Sequence, residues 1–306
     1  MPLKEGQKHA HFISHSLVLR GDAVSAAIYE SVTGRIIEAL QRGVIPWRKP
    51  WSPSSSMPVN AFTKRPYRGI NVILLSLSPF SDHRWLSFLQ VKELGGFVRS
   101  GEHATQVVFW KQWEVEDTDT EGKVSCKTIP ILKVYSVFNA DQCVNLNLPD
   151  LSDPDPKWLD ARIERAETAV KAMPDPPHIL LTGDFALYRP STDTVQVPPM
   201  ERFLSADHFY ATLFHELGHS TGHARRLNRS GVTGKIQFGS GEYSQEELIA
   251  ELTSAFCASK LSLNNELIGH SASYIDSWLC ALRGDSRLVV TAAAQAQRAA
   301  DYIFGV

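Results

Sequence analysis

Phe214-His-Glu-Leu-Gly-His-Ser-Thr-Gly-His223 decides how the second half of the chain is read. His215 and His219 enclose Glu216 in an HExxH pattern. On a helix, positions four apart share a face, so both imidazoles can reach one ion, while Glu216 lies beside it, placed for water rather than for coordination. Leu213, Phe214 and Leu217 make the same helix core-facing, where unpartnered histidines would be costly. Two satisfied core histidines are the alternative. Ser205 or Asp207 caps this helix. Ahead of it the pattern predicts a helix from Trp158 to Met173, then strands at His178–Leu181, Phe185–Tyr188 and Thr194–Val197. The last two strands flank the turn Pro190-Ser-Thr-Asp193. Behind it a second helix is expected from Ser244 to Ser259, and alanine-rich helices close the chain.

A metal on this helix needs a third ligand. The metzincin pattern demands a histidine three residues after the glycine of HExxHxxG; Gly222 matches, but that place holds Arg225, so the class fails. Downstream, Glu246-Glu-Leu-Ile-Ala-Glu251 offers Glu246, Glu247 and Glu251. The arrangement resembles the ExxAD of gluzincin-type peptidases, in which the first acid binds metal and the acid four residues later holds a ligand histidine. That match makes Glu247 the third ligand and Glu251 its supporting carboxylate. An exchange of those two roles is the alternative, and Glu246 is read as part of an exposed helix face. Two histidines and one carboxylate, with a fourth position for water, describe a catalytic Zn2+ rather than a structural one; another divalent ion such as Mn2+ could replace it. Glu216 is then the general base. His223 and Tyr243 are the candidates for stabilising an oxyanion, although His223 equally suits a cap at the helix end. The extended segment Ala186–Val197 could be the sheet edge on which a peptide is laid.

The 306 residues are enough for about two domains with two separate cores, and 43% apolar against 21% charged residues argues against a disordered or fibrous chain. No stretch reaches the roughly 18 consecutive apolar residues of a membrane span, and the N-terminus has no apolar core of an export signal. Cys126, Cys143, Cys257 and Cys280 form no CxxC pair, which fits a reducing cytoplasm and speaks against a cysteine-based zinc site. The net charge of -2 hides an asymmetry: residues 1–145 carry 17 basic against 13 acidic side chains, and the remainder 14 against 20. Within Val32–Lys111 the count is 11 against 4, and five of the seven tryptophans lie in or beside that stretch. A basic, aromatic half joined to an acidic half implies two different jobs.

Residues 1–23 read as a loose tail. From Asp22 a helix follows, with Ala27, Ile28, Val32, Ile36, Ile37 and Leu40 at helical spacing, stopped by Gly43 and Pro46. Ser87–Leu94 reads as a helix, Gln106–Trp113 and Ile129–Phe138 as strands, and the acidic run 114–123 as an exposed loop between them. The proline- and aspartate-rich segment 147–156 marks the domain boundary. The fold expected is α+β in two domains, residues 24–145 and 157–306, joined by a linker at 146–156.

The basic half interleaves rings with cations at Trp47-Arg48-Lys49-Pro50-Trp51, Lys64-Arg65-Pro66-Tyr67-Arg68 and Phe109-Trp110-Lys111. Single-stranded nucleic acid is held in this way, cations following phosphates and flat rings stacking on bases. Arg35, Trp47, Arg48, Lys49, Trp51, Lys64, Arg65, Tyr67, Arg68, Asn71 and Lys111 are the candidate DNA contacts. Trp85 and Trp110, within apolar elements, are expected in the core, whereas Trp47 and Trp51 are expected to stack on bases. No helix displays a cationic face suited to a duplex major groove.

The runs IYESVTGRIIEALQRGVIPWRKPW (28–51), YRGINVILLSL (67–77), GGFVRSGEHATQVVFWK (95–111) and VFNADQ (137–142) resemble the N-terminal domain of ArdC-type antirestriction proteins, a domain also related to one in conjugative-plasmid primases. YRPSTDTVQVPP (188–199), FHELGHSTGHARRLNR (214–229) and EELIAEL (246–252) are similar to the zincin-like domain that follows it in that family. The resemblance implies single-stranded-DNA binding by the first domain, a minimal gluzincin-type metallopeptidase-like second domain, and protection of a mobile element's DNA from host restriction. The competing readings are a DNA-binding protein with a structural metal domain, and a soluble peptidase whose basic half recognises a protein substrate.

Overall fold

The apolar period of the first helix is realised over residues 24–41 (α1), which bury Tyr29, Val32, Ile36 and Leu40. The structure, a computed structural model, describes residues 24–48, 57–118, 124–149, 157, 161–234, 241–264 and 272–306. The tail 1–23, Lys49, Trp51 and most of the expected linker lie outside the described residues. After α1 a 3-10 turn, Pro46–Arg48, leads to β1 (Val59–Asn60), α2 (Ile70–Ser76), β2 (Arg84–Leu86), α3 (Phe88–Glu93), β3 (Phe97–Val98), β4 (Thr105–Thr118), β5 (Val124–Asn139) and β6 (Cys143–Val144). Ser87 and Gln90 start α3 with a reciprocal capping box. One sheet runs β1-β2-β5-β4, and β3 pairs with β6.

The second half contains α4 (Arg162–Ala172), β7 (His178–Leu181), β8 (Leu187–Arg189), β9 (Thr194–Val197), α5 (Ala206–Ser220), α6 (Ser230–Thr233), α7 (Gly241–Leu261), α8 (Ala272–Gly284) and α9 (Leu288–Ile303). Its strands form a sheet of order β7-β9-β8, with β8 antiparallel to β9 at one edge.

Three expectations are corrected. The acidic run is not a loop up to residue 118: Glu114–Thr118 continue β4 in register with Val124–Thr128 of β5, so the hairpin is longer than its apolar part. A two-stranded extension needs only backbone pairing, which leaves no apolar signal. The two halves also do not keep separate cores. Ile36, Leu40, Trp47, Ile73 and Val108 belong to one cluster with Leu217, Leu248, Trp278 and Val289. Thr33 Oγ1 donates to the Ser286 carbonyl at 2.6 Å, and Gly69 N–H donates to Gln297 Oε1 at 3.0 Å. Periodicity shows which face of α1 or α9 is apolar, not which partner covers it.

The tryptophans are the third. Trp85 is buried as expected, but Trp47 is 1% exposed and packs edge-to-face on Trp278 at 5.3 Å, whereas Trp110 is 53% exposed. Trp47 sits in a turn that points into the core, and α8 supplies its cover. Beside Trp110, α2 covers Val108, held there by Asn71, and leaves the ring two residues further along in partial contact with Tyr29.

Candidate metal centre and nucleic-acid face

The Ser205 hydroxyl caps α5 by accepting from His208 N–H at 3.3 Å. Phe209, Leu213, Phe214 and Leu217 anchor the helix in the core. Gly218, inside the HExxH motif, lets α5 lie against α7: a Cβ there would meet the Ala250 Cα and Thr253 Cβ at 3.2 Å, tighter than side chains normally approach. That close crossing carries Glu247 up to both imidazoles. His215 Nε2 is 3.7 Å and His219 Nε2 3.6 Å from the Glu247 carboxylate. The three residues each offer one ligand atom within 4.8 Å of the others, a donor set that fits one divalent ion.

Glu246, read from sequence as part of an exposed face, is buried instead. Its carboxylate stands 3.5 Å from His219 Nδ1 and is held by Arg229 through Nε at 3.0 Å and Nη2 at 2.5 Å. Glu246 thus faces the ring nitrogen of His219 that is turned away from Glu247, the position of an outer-sphere carboxylate in metal sites. Glu251, cast in that role, has Arg48 as its ion-pair partner at 2.5 Å. Nothing local in the sequence marks Glu246, since its cation arrives from the turn after α5.

The electrostatics follow from this crowding. Burial pushes the Glu216 carboxyl up to about 7, aided by Glu247 and opposed by His219 and a Tyr188 backbone N–H. Burial depresses His215, with His219 and Arg48 adding to it. Burial acts the same way on His219, but its hydrogen bond to Glu246 and the surrounding carboxylates outweigh it and raise the imidazole to about 9. Burial also lifts Glu251 to about 7, with Arg48 opposing. A carboxylate poised near neutrality beside a His/His/Glu set suits proton transfer.

The Tyr188 contact places β8 beside Glu216. Arg226 fastens this strand: its side chain pairs with Asp193 and reaches the Tyr188 hydroxyl at 3.3 Å, while Nε donates to the Ser220 carbonyl at 2.7 Å. His223 lies just beyond the end of α5, where its Nδ1 accepts from Arg225 N–H at 3.3 Å. Tyr243 lies one turn before Glu247 on α7 and so shares its side of the helix.

The DNA candidates divide. Arg48 is half-buried and paired with Glu251, Tyr67 is in the core, and the Asn71 amide pairs with both backbone groups of Val108 at 2.7 and 2.8 Å; with Trp47, these are corrected to structural roles. Arg35 is half-buried and reaches the Leu74 carbonyl, and Arg68 pairs with Asp301. Lys64, Arg65 and Lys111 are exposed. Outside the sequence candidates stands a ring pair, Phe109 and Tyr135, 44% and 46% exposed, with centroids 5.6 Å apart. Register puts Lys133 opposite Phe109 and Tyr135 opposite Val107, so the two rings and Lys111 line one face of the hairpin. Strand alternation was the available signal, but it needs the pairing register to be read.

Residues 26–138 match the family described as the N-terminal domain of anti-restriction factor ArdC, and residues 164–295 match that of a zincin-like metallopeptidase. Two DNA primases TraC of Escherichia coli are 37% identical over 291 residues and 35% identical over 307 residues. These alignments cover 90% and 92% of this chain, which spans only 20% and 27% of the primases. The uncharacterized protein y4eC of Sinorhizobium fredii is 37% identical over 289 residues, covering 90% of this chain and 91% of that protein. The metal-free crystal structure of the antirestriction ArdC protein from plasmid R388 superposes with a TM-score of 0.72 at 38% identity, and its Mn(II)-bound structure with 0.69 at 37%. Each comparison covers 90% of this chain and 96% of that one. With both halves matched in order and nearly end to end, the chain belongs to the ArdC antirestriction family.

Proposed function

We propose that this protein shields incoming DNA from restriction in the cytoplasm by binding it as single strands, and that it carries a metal-dependent centre of peptidase type. The observation carrying the DNA reading is the exposed Phe109–Tyr135 pair with Lys111 on its face, in the half that matches the ArdC N-terminal domain. Rings of this kind stack on bases whatever their sequence, and Lys111, Lys64 and Arg65 are exposed cations suited to phosphates. Among the described residues no helix is long and apolar enough to cross a membrane.

His215, His219 and Glu247 are the residues that would hold the ion, zinc or manganese. The chemistry a divalent ion supplies in such a donor set is polarisation of a carbonyl and acidification of water. Glu216 takes a proton and delivers it to a leaving group, and its elevated pKa suits both steps near neutral pH. β8, beside Glu216 and at the sheet edge, offers an extended backbone along which a peptide could align.

Restriction protection measured on two variants tests the proposal. Glu216→Ala should keep metal and DNA binding while any peptide hydrolysis falls by about 10² to 10⁴. A Phe109→Ala/Lys111→Ala/Tyr135→Ala variant should lose single-stranded DNA. Protection that survives the first and fails in the second supports shielding; failure in both makes cleavage of a host protein the better account; protection intact in the second rejects the DNA reading.

A further inference from the structure

Glu216, Glu246, Glu247 and Glu251 crowd two imidazoles where α5 crosses α7. Glu247 meets both rings. Two of the others have guanidinium partners: Glu246 has Arg229, which follows α5 in the same half, and Glu251 has Arg48, which comes from the N-terminal half. The side chains of Arg48 and Glu251 are 12% and 3% exposed, so this pair is sheltered from water. The turn carrying Arg48 is itself anchored, because Trp47 packs on Trp278 of α8 and α2 packs on the same turn. Glu251 lies one turn along α7 from Glu247, on the same side of the helix. Without a cation, a buried carboxylate there repels Glu247, and its charge is relieved only by protonation or by movement of α7.

We infer that Arg48 is a positioning residue of the metal centre: by pairing with Glu251 it holds α7 where Glu247 faces His215 and His219, so the N-terminal half completes the centre. The inference rests on the metal-centre reading above. It also reverses the role the sequence suggests for Arg48, a phosphate contact.

The test is calorimetric titration of the full-length, metal-stripped protein with Zn2+ and with Mn2+, beside single-stranded-DNA binding across a salt series. Arg48→Met should weaken metal binding about 10-fold, at the lower end of what outer-sphere partners contribute, with DNA affinity and salt slope unchanged. Glu251→Gln should weaken it less, because the charge then left unpaired is the Arg48 cation, which does not repel Glu247. The double variant should recover part of the loss, because it leaves neither charge of the pair behind. If Arg48→Met does not fold, Arg48→Lys, expected to be intermediate, and Glu251→Gln carry the same comparison. Metal affinity within twofold of wild type in folded Arg48 variants would overturn the inference. A reduced DNA salt slope with unchanged metal affinity would also overturn it and return Arg48 to the phosphates. A wild-type protein that binds neither ion would overturn the metal-centre reading itself, a result distinct from failure of Arg48 alone.

Discussion

The metal centre and the hairpin face are built in opposite ways. At the centre, two helices cross at Gly218, and the functional side chains are buried or half-buried and partnered: His219 by Glu246, Glu246 by Arg229, Glu251 by Arg48. On the hairpin, Phe109, Tyr135 and Lys111 stand out from the ladder, placed by the pairing register with the Tyr67 ring beside Phe109. A site that must hold an ion in one geometry needs packing and outer partners. A surface that accepts any base needs only flat rings and cations in reach. Substitutions at the first should therefore be coupled to the fold, and those at the second nearly independent of it.

The sharpest contrast comes from the ligands. His219→Ala should abolish stoichiometric metal while leaving DNA binding intact, and Glu247→Ala should lower metal affinity more than Glu251→Ala, as read by metal analysis and calorimetry. The reverse order for the two glutamates would exchange their roles.

Next in size is Trp47. Truncation to alanine removes the ring that packs on Trp278 and should cost about 3–5 kcal/mol in denaturant unfolding. A stable Trp47→Ala protein with weakened DNA binding would put the ring back on the DNA side.

Phe109→Ala should leave unfolding nearly unchanged and lower affinity for single strands by about 1–3 kcal/mol at fixed salt. A large loss of stability would show that the exposed ring belongs to the core.

The smallest effect is expected at Lys111. Its replacement by alanine should leave stability unchanged and reduce the slope of log affinity against log salt by about 1. An unchanged slope removes Lys111 from the phosphate contacts.

These outcomes also mark how far the primary structure can be read. The HExxH helix, the neighbouring helix with its three glutamates, α1 and the apolar parts of β4 and β5 all follow from sequence. Each shows itself over at least eight residues through a 3.6- or two-residue period. His215, Glu216 and His219 needed nothing beyond a helix to be grouped. Which glutamate faces which histidine was decided by the crossing of α5 and α7, because Glu246, Glu247 and Glu251 are equivalent as residue types and differ only in direction. Trp47 and Trp110 were exchanged between core and surface for a related reason: a ring is buried when a distant segment covers it, as Trp278 covers Trp47, whereas Tyr29 beside Trp110 leaves that ring 53% exposed. The Phe109–Tyr135 face required the β4–β5 register, and the role of Arg48 required contact between the two halves. Local spacing determines what a segment can be; long-range packing, whose partners are far apart in sequence, decided what each side chain touches.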